Sequence, residues 1–275
     1  MKFSVLMTVY DKESPTCFSA SLKSILVEQR LIPDQFVLVY DGPIGKDLRE
    51  VAEEYRKSFP NEFEIVALPE NVGQGMASKI GFEKCKNELI ARMDSDDISY
   101  YNRFEKEIEI FKKYPDIDVV GGFITEFVKE PTNITGTRIV AEKHSDIVKN
   151  FKRRNPINNV TVMYKRKALQ DIGGYSNIRA NEDFNLYVRL LLGGKKFYNI
   201  QEPLVNVRVG ENMLVRRGDM EIYKAWKRNQ QLLLKGKIIN RFEYFINCIG
   251  CYLFIKCSPK IKGLLYKYVL RKKLK

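Results

Sequence analysis

The first 130 residues alternate between strand-like and helix-like segments, and no other feature restricts the fold of this chain as strongly. Apolar runs predict buried strands at Phe3–Val9, Gln35–Tyr40, Phe63–Leu68 and Leu89–Met93. Helix-like segments lie between these strands, and the connecting turns are short. Strand–helix–strand connections of this kind are right-handed and build a mainly parallel sheet. We therefore predict an α/β fold in which helices flank a Rossmann-like sheet.

The same patterns predict the remaining elements. Helices are predicted from Pro15 to about Gln29 and at Gly45–Phe59, Met76–Lys86, Tyr101–Tyr114, Lys165–Ile172, Asn181–Leu192 and about Asp219–Leu234. Further strands are predicted at Val119–Val128 (one or two), Val160–Tyr164, Lys196–Ile200 and Leu204–Val209. The segment from about residue 129 to 215 is less periodic than the first part of the chain.

Each of the first four predicted strands is followed by a side chain that can form hydrogen bonds. These side chains belong to Tyr10, Asp41, Asn71 and Asp94. Ligands of open α/β sheets bind at the carboxyl ends of the strands. If the predicted topology is right, the four side chains converge on one crevice.

An acidic cluster follows the fourth strand, in the segment Met93-Asp-Ser-Asp-Asp97. Carboxylates this close repel one another unless a cation or solvent screens them. Hard divalent cations that also contact phosphate are usually held by one or two carboxylates, so Asp94 and Asp96 are candidate ligands of Mn²⁺ or Mg²⁺. A solvated Asp-rich turn or a helix N-cap would explain the same residues.

The strand-end residues suit the recognition of a nucleotide-sugar. Asp41 can accept a hydrogen bond from N3–H of uracil, and Tyr10 can flank the base. The two glycines of the Asn71–Gly75 turn let backbone approach a ligand closely, although a plain turn before a helix has the same composition. A cation held by Asp96, with Asp94 nearby, would neutralise the charge that develops on a leaving diphosphate.

A second acidic pair, Glu182-Asp183, lies in the less periodic part of the chain. A carboxylate that faces the anomeric carbon can take the proton from an acceptor hydroxyl. The pair also suits a helix start capped by Asn181, and both interpretations can hold together. Three arginines further on can form forked hydrogen bonds with phosphates or lie in a solvated loop. They are Arg208, Arg216 and Arg217.

The net charge of +13 is concentrated near the C-terminus. From residue 235 to 275, eleven Lys and Arg stand against a single Glu, which leaves about +10 on this tail. Apolar residues recur there near helical spacing, among them Phe242, Phe245, Ile249 and Leu253. The combination is typical of helices at the surface of an anionic membrane. A helical pair packed on the main domain, with a solvated basic face, would also explain it.

Several classes of protein fit the sequence poorly. No apolar run approaches the length of a membrane-spanning helix, and the N-terminus is typical of a first strand rather than a signal peptide. Basic charge alone would suit a nucleic-acid-binding protein, but no known binding motif is visible. Cys248 and Cys251 have CxxC spacing without a second pair or a nearby His, which favours buried thiols over a zinc or redox site. A reducing cytoplasm fits this cysteine usage.

Ordered motifs extend through most of the chain. They are Ser4–Tyr10, Val39–Gly42, Asn71–Gly75, Ala91–Ile98, Asn155–Asn158, Thr161–Met163, Gly173–Tyr175, Glu182-Asp183 with Leu186 and Arg189, and Arg208–Gly210 with Arg216–Gly218. In this order and spacing the chain resembles family 2 glycosyltransferases of the GT-A fold, and most of all the bacterial exopolysaccharide and capsule enzymes of the amylovoran type. The resemblance covers about residues 1 to 217 and continues more loosely into the tail.

The resemblance implies roles for individual residues. Asp94 and Asp96 would form the Asp-x-Asp motif that binds metal and diphosphate, Asp41 would contact the base, and Asp183 would be the general base of an inverting single displacement. The positions assigned to the nucleotide-sugar are Thr8, Tyr10, Asp41, Asn71, Gly73, Lys79, Arg92, Asp94, Ser95, Asp96, Glu182, Arg208, Arg216 and Arg217. The implied division is a GT-A domain at 1–235, with a nucleotide-binding half (1–128) and an acceptor-binding half (129–235), followed by a basic amphipathic helical tail (236–275).

Four positions depart from the family pattern. Tyr40-Asp41-Gly42-Pro43 stands where the family usually has Asp-Asp-Gly-Ser, so one nucleotide-side acid is absent. Lys79 replaces a usual Asn, and either contacts phosphate or ribose or is an exposed helix lysine. Asn159 replaces a frequent His. The Gln-x-x-Arg-Trp motif of processive synthases is missing, which favours transfer of one sugar at a time.

We therefore expect a metal-dependent inverting glycosyltransferase that uses Mn²⁺ or Mg²⁺. It would transfer a hexose or N-acetylhexosamine from a UDP-sugar to a hydroxyl of a saccharide acceptor, one linked to polyprenyl diphosphate or a similar lipid. The basic tail would bind an anionic membrane, which predicts a peripheral protein at the cytoplasmic face of the bacterial cell membrane. A sugar nucleotidyltransferase shares the sheet architecture and the metal, but it would need a Gly-rich basic loop where this chain has Tyr10–Pro15.

Overall fold

The computed structural model describes residues 1–178, 180–210, 220–258 and 262. Its first part consists of β1 (Phe3–Val9), α1 (Pro15–Leu26), β2 (Gln35–Tyr40), α2 (Lys46–Ser58), β3 (Phe63–Ala67), α3 (Gln74–Lys84) and β4 (Leu89–Asp94). The four strands lie in the order β3-β2-β1-β4, and every neighbouring pair is parallel. The predicted α/β organisation of this part is confirmed.

The second part extends the same sheet with strands of mixed direction. Its elements are β5 (Ile98–Ser99), α4 (Arg103–Lys113), β6 (Val119–Phe127), β7 (Ile134–Arg138), α5 (His144–Phe151), β8 (Met163–Lys165), α6 (Arg166–Asp171), α7 (Glu182–Leu192) and β9 (Phe197–Arg208). The order continues from β4 through β8, β6 and β9 to β5, and β7 pairs with the outer part of β6. β8 is antiparallel to β4 and β6, whereas β6 and β9 are parallel.

Several predicted elements in this second part are wrong in detail. A 3₁₀ helix at Asn159–Thr161 replaces the first two residues of the strand predicted at 160–164, because the Thr161 hydroxyl hydrogen-bonds locally to the Asn158 carbonyl at 2.8 Å. The strand itself, β8, begins only at Met163. The two strands predicted at 196–209 form the single strand β9, whose register against β6 shifts on either side of Phe123. β5, β7 and α5 were not predicted from the sequence.

The sheet is covered on both faces, which explains why its parallel strands are apolar throughout. Along β1, Phe3, Val5 and Met7 face one core layer and Leu6 faces the other. The first layer packs against α1, α2 and α4. The second packs against α3, α5, α6 and α7. The carboxyl ends of the parallel strands are left at one rim of this sandwich.

A buried ion pair fixes the chain just before that rim. Arg103, at the start of α4, is fully buried, and its Nε donates to Glu107 at 3.2 Å. The same guanidinium donates to the Arg92 carbonyl oxygen at 2.8 Å. Burial raises the pKa of Glu107 to about 7, against the attraction of Arg103. The pair therefore holds the end of β4 against the first turn of α4.

Two further helices, α8 (Met220–Lys235) and α9 (Arg241–Lys256), pack on the main domain. The Trp226 ring of α8 stacks on Phe184 of α7 with centroids 5.2 Å apart. α9 begins with a capping box, in which the Asn240 side chain accepts from the Glu243 N–H at 2.8 Å. The Trp226 indole N–H donates to the Asn247 carbonyl at 3.2 Å, which links the two helices.

One face of α9 carries large apolar side chains that are open to solvent. They are Phe242, Phe245, Ile246, Ile249, Tyr252 and Leu253, and Phe242 is 72% exposed. In the described ranges, no helix has both the length and the apolar character that crossing a bilayer requires. Further apolar residues of the tail follow Pro259, among them Leu264 and Val269, and they lie outside the described residues.

Candidate active site

A cavity of about 570 Å³ opens at the carboxyl ends of the parallel strands, and we call it the strand-end cavity. This volume is in the range of small-molecule sites. Its lining residues are Thr8, Val9, Tyr10, Lys12, Glu13, Asp41, Asn71, Gly73, Gln74, Asp94, Ser95 and Asp96. The predicted convergence of Tyr10, Asp41, Asn71 and Asp94 on one crevice is thus found in the structure.

Asp41 ties the end of β2 to the loop before α3. Its Oδ1 accepts from the backbone N–H of Val72 at 2.7 Å and of Gly73 at 3.2 Å. Its Oδ2 accepts from the Asn71 amide at 3.1 Å. Gly42 has φ +90°, and a Cβ there would lie 2.7 Å from the Asn71 nitrogen, so only glycine lets the two loops approach. Asp41 is therefore held in one orientation at the wall of the strand-end cavity.

Asp94 ends β4 and is paired with a buried arginine. Its Oδ1 accepts from the Arg92 guanidinium at 2.5 Å and from the Gln74 amide at 3.0 Å. Burial opposes the charge of Arg92, but the neighbouring Asp94 carboxylate outweighs it, so the pKa of Arg92 is raised. One Asp94 oxygen is thus occupied by protein, and Arg92 does not line the cavity. Arg92 was predicted to contact the nucleotide-sugar, and it instead orients Asp94.

Asp96 is the acid of the cluster that is best suited to a cation. Burial raises its pKa to about 7, and the charges of Asp94 and Glu13 add to the effect. Glu13 accepts from the Ser95 hydroxyl at 2.8 Å, so a third carboxylate faces this loop. Among the described residues, no group of three or more His, Cys, Asp or Glu forms a complete metal site. Asp96 fits a cation whose remaining ligands come from a bound diphosphate and water, the usual arrangement for Mg²⁺.

Arg208 and Asp97 fasten the acidic loop to β9. The buried Asp97 carboxylate accepts from the Arg208 backbone N–H at 2.9 Å. The Arg208 Nε donates to the Asp96 carbonyl oxygen at 3.3 Å, and its guanidinium lies over the Phe127 ring at 4.7 Å. Burial raises the pKa of Asp97 well above its ordinary value, and the adjacent charges of Asp96 and Asp94 raise it further. Arg208 thus holds the Asp96-Asp97 loop through hydrogen bonds, and it does not line the strand-end cavity.

Asn159 continues the chain of contacts behind Asp94. With its amide oriented to satisfy both neighbours, the Asn159 oxygen accepts from Arg92 Nε at 3.1 Å. The Asn159 nitrogen then donates to the Tyr187 hydroxyl at 2.6 Å. A chain of contacts therefore runs from Tyr187 on α7 through Asn159 and Arg92 to Asp94. This is the contact made by the residue that replaces the family's frequent His.

A second cavity, of about 310 Å³, contains Asp183, and we call it the base cavity. Its lining residues are Arg138, Arg154, Asn155, Asn181, Asp183, Phe184, Ile222, Trp226, Cys251, Phe254 and Ile255. The Asn155 amide donates to Asp183 Oδ2 at 3.0 Å. The roles that the resemblance implies for Asp41, Asp96 and Asp183 require all three to act at one reaction centre. In the described residues Asp41 and Asp96 share the strand-end cavity, and Asp183 lies in this second one.

The two cavities meet at a contact between two helix starts. A Cβ on Gly75, in the first turn of α3, would lie 3.1 Å from the Ile178 carbonyl oxygen and 3.4 Å from the Glu182 Cβ. Gln74, beside Gly75, lines the strand-end cavity, and Asp183, beside Glu182, lines the base cavity. Burial, with the Asp183 charge second, raises the pKa of Glu182 to about 7. The charges of Arg92 and Asp94 also act on Glu182, so the start of α7 lies close to the acidic cluster and the two cavities are neighbours.

Other predicted site residues lie elsewhere. Lys79 occupies the second turn of α3 and does not line either cavity, so a phosphate or ribose contact is not supported. Asn181 was predicted to cap α7, but it adopts a left-handed conformation with φ 51° and its amide reaches the Ile222 carbonyl. Arg216 and Arg217 lie outside the described residues.

Several lining residues were not predicted from the sequence. Lys12 and Glu13 lie in the same loop as Tyr10, and Gln74 lies inside the two-glycine turn. Their positions beside predicted site residues are the signal that could have identified them. Arg138 and Trp226 belong to segments with no recognisable motif, and Arg154 directly precedes the Asn155–Asn158 motif, but nothing in the sequence marks the three as one group.

The chain belongs to the family described as glycosyl transferase family 2, whose model matches residues 4–173. It is thus a glycosyltransferase, and the predicted resemblance is confirmed. The nucleotidyltransferase and nucleic-acid-binding alternatives are not supported.

Two curated relatives illustrate the membership. The chain is 31% identical over 272 residues to the UDP-Gal:alpha-D-GlcNAc-diphosphoundecaprenol beta-1,3-galactosyltransferase of Escherichia coli, covering 98% of this chain and 97% of that protein. It is 34% identical over 223 residues to the amylovoran biosynthesis glycosyltransferase AmsE of Erwinia amylovora, covering 81% and 82% of the two chains. These relatives agree with the predicted amylovoran-type branch.

A solved structure shows the same fold. S. aureus TarS, residues 1–349, in complex with UDP-GlcNAc, matches with a TM-score of 0.69 and 15% identity, over 95% of this chain and 78% of that one. The predicted GT-A architecture is confirmed by this match.

Proposed function

We propose that the protein is an inverting, metal-dependent glycosyltransferase of bacterial surface polysaccharide synthesis. It transfers one sugar at a time from a UDP-sugar to a hydroxyl of a lipid-linked saccharide. The observation that carries this proposal is the adjacency of the two cavities. One is lined by the strand-end polar groups and the other by an oriented carboxylate, and the helix starts that carry Gln74 and Asp183 are in contact.

The strand-end cavity is the proposed site of the sugar donor. Asp41 accepts from the uracil imide, and Tyr10, which is 40% exposed, flanks the base. Thr8, Asn71 and Gly73 line the space beside them. Lys12 adds a cation at the mouth, where it can pair with the diphosphate. A UDP-sugar donor also agrees with the donor named for the Escherichia coli relative.

Asp96 is the proposed ligand of a divalent cation, Mn²⁺ or Mg²⁺. Asp94 is a weaker candidate, because one of its oxygens already accepts from Arg92 and Gln74. The bound cation would neutralise charge on the departing UDP. Asp96 must be ionised to hold it, so cation binding should strengthen as the pH rises through about 7.

Asp183 is the proposed general base. The Asn155 amide holds one of its oxygens and leaves the other able to take the proton of the acceptor hydroxyl. Attack on the anomeric carbon from the side opposite the departing diphosphate inverts the configuration. Because the reaction has no covalent enzyme intermediate, positioning and charge stabilisation supply most of the rate.

The exposed apolar face of α9 is the proposed membrane contact. Arg241 and Lys256 lie at the two ends of this helix, and most of the tail's basic residues follow it in the sequence. An apolar face with basic neighbours suits the interface of an anionic membrane. We infer a peripheral location at the cytoplasmic face of the bacterial cell membrane, where lipid-linked acceptors are accessible. The division into a GT-A domain at 1–235 and a tail at 236–275 belongs to this proposal.

The experiment is a screen of UDP-sugars against a short-chain lipid-diphosphate N-acetylglucosamine acceptor, with Mn²⁺, with Mg²⁺ and with excess EDTA. We expect transfer with one UDP-sugar and loss of transfer in EDTA. NMR of the product should show the anomeric configuration opposite to that of the donor. Full activity in EDTA would remove the metal role of Asp96, and retention of configuration would remove the single displacement.

A further inference from the structure

The base cavity has two walls of different chemistry. Arg138 and Arg154 line one side beside Asn155. Ile222 and Trp226 from α8, with Phe254 and Ile255 from α9, form the other. A general base acting on a neutral sugar needs neither a cationic nor an apolar wall. The composition therefore indicates a ligand that carries a sugar hydroxyl, an anionic group and a hydrocarbon segment together.

The cationic wall is attached directly to the base. An Arg138 guanidinium nitrogen donates to the Asn155 carbonyl oxygen at 2.6 Å, and the Asn155 amide donates to Asp183 at 3.0 Å. Arg154 precedes Asn155 in the chain, and it forms no ion pair with any acid in the described parts of the chain. Among the described lining residues, two are arginines and one, Asp183, is an acid.

The apolar wall connects the cavity to the proposed membrane face. Cys251, Phe254 and Ile255 project from one side of α9 into the cavity. Ile249 and Leu253, one or two positions away on the same helix, are exposed to solvent at 42% and 58%. A hydrocarbon chain leaving the cavity along α9 therefore reaches the surface that we expect to lie at the membrane.

We propose that the base cavity binds the diphosphate-lipid end of the acceptor. Arg138 and Arg154 bind the diphosphate, and Trp226, Phe254 and Ile255 contact the first hydrocarbon units. This inference rests on the proposed function. It adds that the acceptor is short, because Arg138 and Arg154 both adjoin Asn155, the residue that holds Asp183, so the diphosphate binds close to the attacking hydroxyl.

Trp226 provides a direct test, because it is the only tryptophan of the chain and it lines the base cavity. Tryptophan emission is followed while the full chain is titrated with geranyl diphosphate, geraniol, inorganic pyrophosphate or dihexanoyl phosphatidylglycerol. Divalent cations are left out so that the strand-end cavity is not loaded. We expect a saturable change with geranyl diphosphate and binding about tenfold weaker or more with each of the other three. The Trp226→Phe variant should lose the signal.

Matched variants test the cationic wall. Arg154→Gln should weaken geranyl diphosphate binding about tenfold. The control is Arg153→Gln, which removes the same charge from the adjacent, exposed residue and should bind as the unaltered chain does. Arg138 also contacts the Asn155 backbone, so the folding of Arg138→Gln should be checked by circular dichroism. If Arg138→Gln does not fold, Arg154→Gln alone provides the test.

Three results would overturn the inference. The first is that geraniol binds as tightly as geranyl diphosphate. The second is that Arg154→Gln binds geranyl diphosphate as tightly as the unaltered chain does. The third is that dihexanoyl phosphatidylglycerol binds as tightly as geranyl diphosphate, which would make this a phospholipid headgroup site. The titration uses no sugar donor, so it is independent of the transfer assay. Active transfer with an unresponsive Trp226 defeats this inference alone, whereas absence of transfer from every UDP-sugar defeats the proposed function.

Discussion

The strand-end cavity and the base cavity are built in opposite ways. All lining residues of the first come from residues 8–96, at the ends of parallel strands and in the loops that follow them. The second is assembled from segments between residues 138 and 255, including two helices that follow the sheet. The first is lined almost entirely by polar groups, and the second combines charged and apolar walls.

The difference shows how one chain can separate two recognition tasks. Strand ends held by backbone pairing on both sides fix a polar site rigidly, which suits a nucleotide and a cation. Helix faces and long loops bring together residues of any chemistry, which suits an acceptor with polar and apolar parts. A test of this comparison must therefore alter one cavity and measure whether the other still works.

Asp183→Asn should have the largest effect. Turnover should fall about 10³-fold, because an amide cannot take the proton of the acceptor hydroxyl. UDP binding with Mn²⁺, measured by calorimetry, should be unchanged because Asp183 does not line the strand-end cavity. Asp96→Asn is the contrasting variant and should lose both turnover and UDP binding. Loss of UDP binding in Asp183→Asn would contradict the separation of the two cavities.

Asp96→Asn should also stabilise the fold at high pH. The pKa of Asp96 is raised to about 7, so the folded state disfavours the ionised form that the unfolded chain adopts above its ordinary value of 3.8. The cost of ionisation is fully present above pH 7 and declines as the pH falls towards 4. Replacement by Asn should increase the free energy of unfolding at pH 8 by on the order of 2–4 kcal/mol.

Denaturant unfolding of Asp96→Asn and the unaltered chain, without metal, at pH 8 and near pH 4 gives the measurement. The gain should shrink towards zero at the lower pH. Asp11→Asn, an exposed acid on the loop after β1, serves as the control and should show no pH-dependent gain. Equal stability at pH 8 would mean that the acidic cluster is not strained by its own charge.

Asn155→Ala should have the next largest effect. It removes the 3.0 Å hydrogen bond that orients Asp183 while leaving the carboxylate in place. Turnover should fall about 10²-fold through misplacement of the base, with the Kd for UDP unchanged. Asn150→Ala on α5, which lines neither cavity, is the matched control. An unchanged kcat would show that Asp183 needs no orienting partner.

Phe245→Ser should have the smallest of these effects. The Phe245 side chain is 62% exposed on α9, so its loss should leave the fold intact. Partitioning onto vesicles that contain anionic phosphatidylglycerol should weaken about tenfold, as expected for the loss of one partly inserted aromatic ring. Tyr101→Ser, an exposed aromatic change on the main domain, is the control. Unaltered vesicle binding would mean that α9 is not the membrane contact.

The strand-end cavity could be predicted because its geometry follows from topology. Once four parallel strands are inferred, Tyr10, Asp41, Asn71 and Asp94 must emerge at the same rim. Arg92 could not be assigned in this way. Its partner Asn159 lies in a 3₁₀ turn on a different part of the chain, and only the folded structure shows that the guanidinium faces inward.

The base cavity could be predicted only at Asp183. β7 lacks the alternation that reveals a strand, and α5, although Ile147 and Phe151 lie on one helix face, is only 8 residues long and has no side-chain cap at its start. Ile134 is the one large apolar residue of β7, and that residue is exposed. Arg138 lies at the end of β7, and Arg154 lies shortly after α5, so the positions of both depended on elements that the sequence did not reveal. Long-range packing, rather than local preference, creates this site.

The contact between Gly75 and Glu182 has a practical consequence for building chimeras. A chimera could take the first turn of α3 from one relative and the first turn of α7 from another. The two surfaces would then lack steric complementarity at this contact. Even a methyl group at position 75 would meet the Ile178 carbonyl at 3.1 Å. Recombinant enzymes designed to combine new sugars with new acceptors should inherit these two helix starts from a single parent.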